Sequence, residues 1–472
     1  MINFFNSYSK LPERFFERVS PAKFKNPKLI SFNYKLAAEL KIDVEGVSEK
    51  ELALIFSGQK ILSGSEPIST AYAAHQFGHF VPQLGDGRAH LLGEVNGFDV
   101  QLKGSGQTPF SRNGDGRSGL GPVIREYLVS EAMYHLAVPT TRALSAVTTG
   151  ENVFRQNVEP GAVFTRIAPS HIRVGTFQYF ACHNDFEGLK ELLAYSINRH
   201  YPNLEAIESL PLRVISFIQS VGDAQAKLIS KWMALGFIHG VMNTDNYSVG
   251  GFTIDYGPCA FMDEYKEHKV FSSIDRHGRY SYKNQIHIGQ WNLLRLADCL
   301  LPLIDENKDV AISKVEKIIP TIIEKFDNEY LKSMGSKFGI LNIIDSDKTL
   351  VNDFLSYIEE EELDFTLAFR NLIDLFNGKT CFYPNISKLE SFIQKWRNRV
   401  TDVSSLNTIN PLLIPRNHQI ERAIVQANNG DYKIFNDLKK ALQAPYSENS
   451  QYSKYVIPPK LDERITETFC GT

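Results

Sequence analysis

Two textures divide the chain unequally. From about residue 84 to 180, short apolar runs are broken by glycines: HLLGEV and FDVQLKG read as paired strands, and GAVFTRIAPSHIRVGTF as strand and turn. Between them the open loop GSGQTPFSRNGDGRSGLG leads into PVIREYLVSEAMYHL. That stretch predicts a helix, with Pro122 near its start and Val123, Tyr127, Leu128, Ala132 and Leu136 at helical spacing. After about residue 185 the pattern is helical. DAQAKLISKWMALGFIHG predicts a helix running directly into a loop. VEKIIPTIIEKFDNEYL places Val315, Ile318, Ile319, Ile322, Ile323 and Phe326 on one face, and Val351, Phe354, Leu355 and Ile358 repeat that core spacing. Residues 1 to about 70 mix short helical patterns with loops. The expectation is an α+β protein of two lobes. An N-terminal extension (1–70) packs on them, a smaller strand-rich lobe (71–180) comes next, and a larger helical lobe (181–472) completes the chain.

Composition narrows the class without changing that picture. Apolar residues make up 43% and charged residues 22% of the 472 residues, ordinary for a soluble enzyme. The net charge of -3, from 51 Lys+Arg against 54 Asp+Glu, gives no global attraction to nucleic acid or to an anionic membrane, so any basic site is local. Cys182, Cys259, Cys299, Cys381 and Cys470 lie far apart with no C-x-x-C pair. That spacing argues against a zinc ribbon or a disulfide framework and suits a reducing compartment. The opening MINFFNSYSKLPERFF has neither the apolar core of a signal peptide nor transit-peptide character, and no stretch approaches the roughly 18 apolar residues of a membrane span. A cytoplasmic protein with no nucleic-acid or membrane partner is expected.

Candidate chemistry centres on GFIHGVMNTDNYSVGGFTIDYG, residues 236–257. A kinase catalytic loop is written H-x-D-x-x-x-x-N and is followed by an Asp-Phe-Gly metal site. His239 and Asn246 stand at that spacing and Asp255-Tyr256-Gly257 follows, yet Val241 occupies the place of the catalytic Asp. YSVGGFTI reads as strand, Gly250-Gly251 turn and strand; in that register Asn246 faces Asp255, and an amide oxygen and a carboxylate converge as Mg²⁺ ligands. Asp245 offers a second carboxylate or a base. A surface hairpin whose Asn and Asp only serve its ends would read the same way.

A nucleotide site of this kind needs cations and backbone donors in the other lobe. QLGDGRAH supplies Gly85 and Gly87, where absent side chains admit phosphate, although a plain hairpin turn has the same sequence. Lys103 ends FDVQLK where a kinase places its phosphate-binding Lys, and Glu126 lies in the following helix where its partner would sit; a surface Lys and a first-turn Glu fit equally. Arg166 and Arg173, with Arg88, Arg112 and Arg117 in glycine-rich loops, gather more positive charge than a kinase requires.

These residues in this order resemble the selenoprotein O family of kinase-like protein adenylyltransferases. The matching segments are AYAAHQFGHFVPQLGDGRAHLLGE, DVQLKGSGQTPFSRNGDGRSGLGPVIREYLVSEAMYHL, FTRIAPSHIRVGTF, HGVMNTDN and IDYGPCAFMD, then RYSYKNQ, QWNLLRLADCLLPL and NPLLIPRN, so the similarity runs from about residue 70 to the C-terminus. It implies a protein-kinase-like fold holding ATP in reverse, with the γ-phosphate buried and the α-phosphate presented. AMP then passes to Ser, Thr or Tyr hydroxyls of proteins, with Mg²⁺ or Mn²⁺ as metal. It further implies nucleotide contacts from Gly85, Gly87, Arg88, Lys103, Asp115, Gly116, Arg166, Arg173 and Asp255. Glu126 would pair with Lys103, Asp245 would accept the proton, and Asn246 and Asp255 would hold the metal. Many family members carry selenocysteine near the chain end, whereas ETFCGT has Cys470, a weaker nucleophile. A switch pairing Cys470 with Cys259 stands beside the plainer reading of a free terminal thiol. Two rival functions remain at this point: a conventional phosphoryl-transferring kinase, which Val241 disfavours, and a non-catalytic nucleotide-binding scaffold, which would have no need of metal ligands.

Overall fold

A computed structural model of the chain describes residues 2–155 and 157–469; Cys470, and with it the expected pairing to Cys259, lies outside the described residues. The strands in the first part are β1 (Phe16–Arg18), β2 (Lys28–Phe32), β3 (Ile68–Thr70), β4 (Ala74–Gln76), β5 (His79–Val81), β6 (Ala89–Val95), β7 (Phe98–Lys103), β8 (Ser118–Gly119), β9 (Arg142–Phe154) and β10 (Val158–Ala168). Among the described residues they form an eight-stranded sheet of order β1-β3-β6-β7-β10-β9-β2 with β8 against β10, while β4 and β5 make a separate hairpin. HLLGEV and FDVQLKG become β6 and β7. Their turn is Asn96-Gly97, both residues at positive φ as a type I′ turn requires, with Val95 opposite Phe98. The first 70 residues, which carry no chemical motif, supply both outer strands, β1 and β2.

Alternation along the strands gives the sheet two covered faces. On β10, Ala162 and Phe164 join the core built with the Leu120–His135 helix, whereas Val163 and Ile167 pack with Leu36, Leu52 and Phe56 of the Tyr34–Glu39 and Glu49–Phe56 helices. All five apolar positions predicted for the Leu120–His135 region are buried.

Beyond Ala168 the chain is helical. The Leu210–Leu235 helix packs on the Gln285–Ile304 and Ile319–Lys337 helices. It stops at Gly236, φ 69°, a left-handed C-cap that turns the chain into the loop of interest. The stretch read as one helix from Val315 onward is two, Lys308–Glu316 and Ile319–Lys337. Pro320 lacks an N–H and is tolerated only in a first turn, so the helix restarts there. Val315, Ile322 and Phe326 are buried as expected, but the break rotates Ile323 outward, to 43% exposure. Val351, Phe354, Leu355 and Ile358 are all in the core. The architecture is mixed α+β, a sheet-rich portion followed by a helical one. No helix of the described residues is long and apolar enough to cross a membrane.

Candidate active site

Strand register brings the first cations together. Lys103 on β7 opposes Phe164 on β10, and Gln101 opposes Arg166. Residues two apart on a strand share a face, so Lys103 and Arg166 are diagonal neighbours on the side covered by the Leu120–His135 helix. Glu126 of that helix meets both: Lys103 Nζ donates to Oε2 at 2.8 Å, and Arg166 donates to Oε1 through Nε at 3.1 Å and Nη2 at 2.5 Å. Asp255 approaches from the other side with φ 64°, and its Oδ1 accepts from Lys103 Nζ and Arg166 Nη2, both at 2.5 Å. Arg173 completes the group, with Nη2 3.7 Å from Asp255 Oδ2 and its guanidinium 4.5 Å from the Tyr72 ring centroid.

Burial alone would raise the Asp255 carboxyl, but Arg166, Lys103 and Arg173 outweigh it and hold the group well below the usual carboxylate range. Glu126 is likewise lowered: burial opposes its charge, and Arg166 and Lys103 overcome that opposition. The surplus of arginine seen in the sequence is therefore largely matched on site. Arg166 faces Glu126 and Asp255, Arg173 faces Asp86 and Asp255, and Arg117 is drawn away to Glu151 and the ring of Phe24. Arg112 is exposed, at φ 54°.

The loop carrying Asp245 differs. Thr244–Asn246 form a single 3-10 turn. His239, buried, ties the start of the loop to the chain before Asp255 through Nε2 and the Ile254 carbonyl at 3.0 Å. The β4–β5 hairpin grips the turn from above: His75 N donates to Thr244 Oγ1 at 2.7 Å, Phe77 N to Asn243 Oδ1 at 3.0 Å, and Gln76 Nε2 to Asp245 Oδ2 at 3.3 Å. Asp245 Oδ1 is buried with no hydrogen-bond partner among the described residues. Desolvation, only partly offset by Arg173, pushes this carboxyl up to about 6. Val241 is buried and non-titratable, so Asp245 is the one carboxylate between His239 and Asn246.

The expected hairpin between Asn246 and Asp255 does not form. Its turn is shifted by one residue, closed by Gly251 N on Ser248 O at 3.4 Å, and its arms pair outward, Ser248 with Arg173 and Thr253 with Thr140. These tertiary partners replace the local ladder. The donor set nevertheless suits a hard divalent cation. Asn246 Nδ2 donates to the Val241 carbonyl at 3.0 Å, which anchors the amide and leaves its oxygen as the available end, and Asp255 Oδ2 has Arg173 no nearer than 3.7 Å. Among the described residues there is no group of three or more His, Cys, Asp or Glu able to hold a metal, so any ion here keeps few protein ligands.

The glycine loops lie against each other. Gly85, at φ 75°, and Gly87 pass so close to Phe110 that an added Cβ would come within 2.3 Å and 2.8 Å of its atoms. Thr108 Oγ1 donates to the Asp86 carbonyl at 2.8 Å, and the Ser111 hydroxyl to that of Gly87. Gly116, φ 66°, abuts the Gly106 carbonyl, and the exposed Asp115 is clasped by Arg155 at 2.9 and 3.0 Å. A cavity of about 750 Å³ opens beside these loops, with Arg88, Lys103, Ser118, Glu126, Arg155 and Tyr256 in its wall, a size that accommodates a nucleotide. A second hollow, about 250 Å³ and almost wholly apolar, lies against Val315, Ile319, Ile322 and Ile323 and contains none of the charged residues described above.

Residues 1–443 match the family model described as protein adenylyltransferase SelO. The chain belongs to this family. Proteins named protein nucleotidyltransferase YdiU from Rhizobium etli, Agrobacterium fabrum and Maridesulfovibrio salexigens are 49%, 48% and 48% identical to it. The alignments cover 99%, 100% and 99% of this chain and 97%, 100% and 98% of those proteins.

Three groups at the site escaped the sequence reading. Asp86, buried between the two loop glycines, accepts from Thr70 Oγ1 at 2.6 Å and Gln101 Nε2 at 3.2 Å and lies 3.4 Å from Arg173 Nη1. Tyr72 underlies Arg173, and Gln76 holds Asp245. An acidic residue inside a G-x-G loop was the one available signal. For Tyr72 and Gln76 there was none.

Proposed function

We propose that this protein adenylyltransferase works as a kinase-like two-lobed enzyme that holds ATP in the reverse of a kinase's orientation. The boundaries near residues 70 and 180 separate an N-terminal extension, a nucleotide-binding lobe and a helical lobe. Gly85, Gly87, Arg88, Lys103, Asp115, Gly116, Arg166, Arg173 and Asp255 contact the nucleotide. The observation that carries this reading is the loop itself. Val241 leaves no base where a kinase needs one, while Asp245 presents a buried, unpartnered oxygen.

The chemistry then follows. The oxygen of a Ser, Thr or Tyr hydroxyl on an acceptor protein attacks the α-phosphorus. The bond from that phosphorus to the α–β bridging oxygen breaks, and pyrophosphate leaves with the electron pair. Asp245, raised to about 6, is ionised at neutral pH yet basic enough to take the hydroxyl proton. Lys103, Arg166 and Arg173 place fixed positive charge where the leaving pyrophosphate gains negative charge. Mg²⁺ or Mn²⁺, held by Asn246 and Asp255, would neutralise triphosphate charge there.

The test is to incubate the full chain with Mg²⁺, an acceptor protein and ATP labelled at either the α- or the γ-phosphate. Label retained on the acceptor from the α-position alone is the expected result. Label retained from the γ-position contradicts the reversed nucleotide and restores an ordinary kinase.

A further inference from the structure

Beside the Asp245 loop lies a cationic surface that the reaction does not use. The β4–β5 hairpin, which holds Asp245 through Gln76, also binds the segment 274–280: Phe77 N and Asn243 Oδ1 both meet the Tyr280 hydroxyl, at 3.2 and 2.6 Å. The neighbouring Arg279 packs on the hairpin tip, where a Cβ added to Gly78 would sit 3.7 Å from its Cζ. The Arg279 guanidinium lies 4.7 Å from the Trp291 ring centroid, Arg295 lies 5.1 Å from the same ring, and His75 meets its edge at 5.3 Å. Such stacking holds two planar forks in fixed orientations, as bidentate capture of a carboxylate requires.

The charge on this surface is only partly compensated, Lys283 pairing with Glu267 just outside it at 2.8 Å. Asp275 and Asp298 are the carboxylates between residues 268 and 298, against Lys269, Arg276, Arg279, Lys283 and Arg295. Asp275 is buried, and its oxygens accept the backbone N–H groups of Arg279 at 2.9 Å and Tyr280 at 2.7 Å. Asp298 is exposed and pairs with Arg295 at 2.9 Å. Arg279 has no carboxylate partner among the described residues, and Arg276 and His277 beside it are exposed.

We propose that this face is where acceptor proteins dock, and that it selects segments with acidic side chains flanking the hydroxyl to be modified. Arg279 is the principal anchor and Arg295 the second. The inference rests on the reading of Asp245 as the acceptor-side base, since that places the incoming hydroxyl at the foot of this surface. It deepens that reading by naming the chemistry of the substrate.

Three fluorescein-labelled peptides, each with one Tyr flanked by Glu, by Gln or by Lys, test it by fluorescence anisotropy with the full chain. The Glu peptide is expected to bind about tenfold or more tightly than the Gln peptide, the Lys peptide more weakly still, and the preference should shrink with added salt. Arg279→Glu should erase the preference. Arg279→Lys, which keeps the charge but loses the fork, should retain part of it. ATP binding, measured on each variant, controls for loss of fold and should not change. Equal binding of the three peptides, or no binding by any, overturns the proposal. So does an acidic preference that survives Arg279→Glu with Arg295→Gln. Because the readout is binding, Asp245→Asn should leave it intact. If that variant still transfers AMP while the peptide preference holds, the base assignment falls and the docking surface stands.

Discussion

Asp245 and Asp255 lie on one loop, both desolvated, and meet opposite surroundings. Asp255 is enclosed by Lys103, Arg166 and Arg173, which hold it ionised far into acid. Asp245 has Arg173 within Coulombic reach, one amide on Oδ2 and nothing on Oδ1, and rises to about 6. Environments that push two carboxyls apart assign their work. On the reading proposed above, the permanently charged one organises cations and metal, and the one near neutrality moves a proton. A kinase divides these tasks between an Asp at the Val241 position and the metal-site Asp. In the proposed mechanism the proton task shifts along the same loop to Asp245.

The strongest way to break the comparison is Asp255→Asn. It removes the anion shared by Lys103 and Arg166 together with a proposed metal ligand, so AMP transfer should fall by about a thousandfold or more. Stability should also fall by about 2–4 kcal/mol, because buried cations lose their partner. Transfer assays and denaturant unfolding on the same preparation check both, and unchanged stability would show that the cations are satisfied elsewhere.

Asp245→Asn should do the reverse to the fold. The folded pKa of Asp245, about 6, lies above its ordinary value of 3.8. The stability it contributes is therefore complete below about pH 3.8 and is lost as pH rises through about 6. Above that the charged form costs of order 3 kcal/mol, which the Asn variant avoids. Metal-free unfolding curves from pH 4 to pH 8 should show the variant gaining on the wild type as pH rises. Parallel curves would place Asp245 in ordinary solvent.

Gln76→Ala sharpens the contrast more gently. Loss of a hydrogen bond to the charged carboxylate should raise the apparent pKa of the transfer rate and lower the rate near neutral pH by about three- to tenfold. A pH–rate profile separates that outcome from a plain loss of fold, which would lower the rate without moving the inflection.

Much of this site was legible because local pattern and sheet register agree. Lys103 at the end of an alternating strand and Glu126 in the next helix meet as their positions suggested. The hairpin failed for a physical reason. Gly250-Gly251 looks like a two-residue turn, yet Ser248 and Thr253 find backbone partners on Arg173 and Thr140, and the tertiary pairing wins over the local one. Gln76 and Asp86 could not be foreseen from spacing, since Gln76 reaches Asp245 across 169 residues of chain and Asp86 reaches Arg173 across 87. The cationic surplus was overstated because reading along the chain counts arginines without the carboxylates that fold against them, Glu126, Asp86 and Glu151. The outer strands β1 and β2, three and five residues long, are too short for alternation to reveal them.

The division of labour is tested most directly by following transfer of α-labelled AMP in a single turnover with Asp245→Asn at saturating ATP. The expected result is unchanged ATP affinity with the rate lowered by about a hundredfold or more. A rate within a few fold of wild type would contradict the account and place the proton acceptor elsewhere.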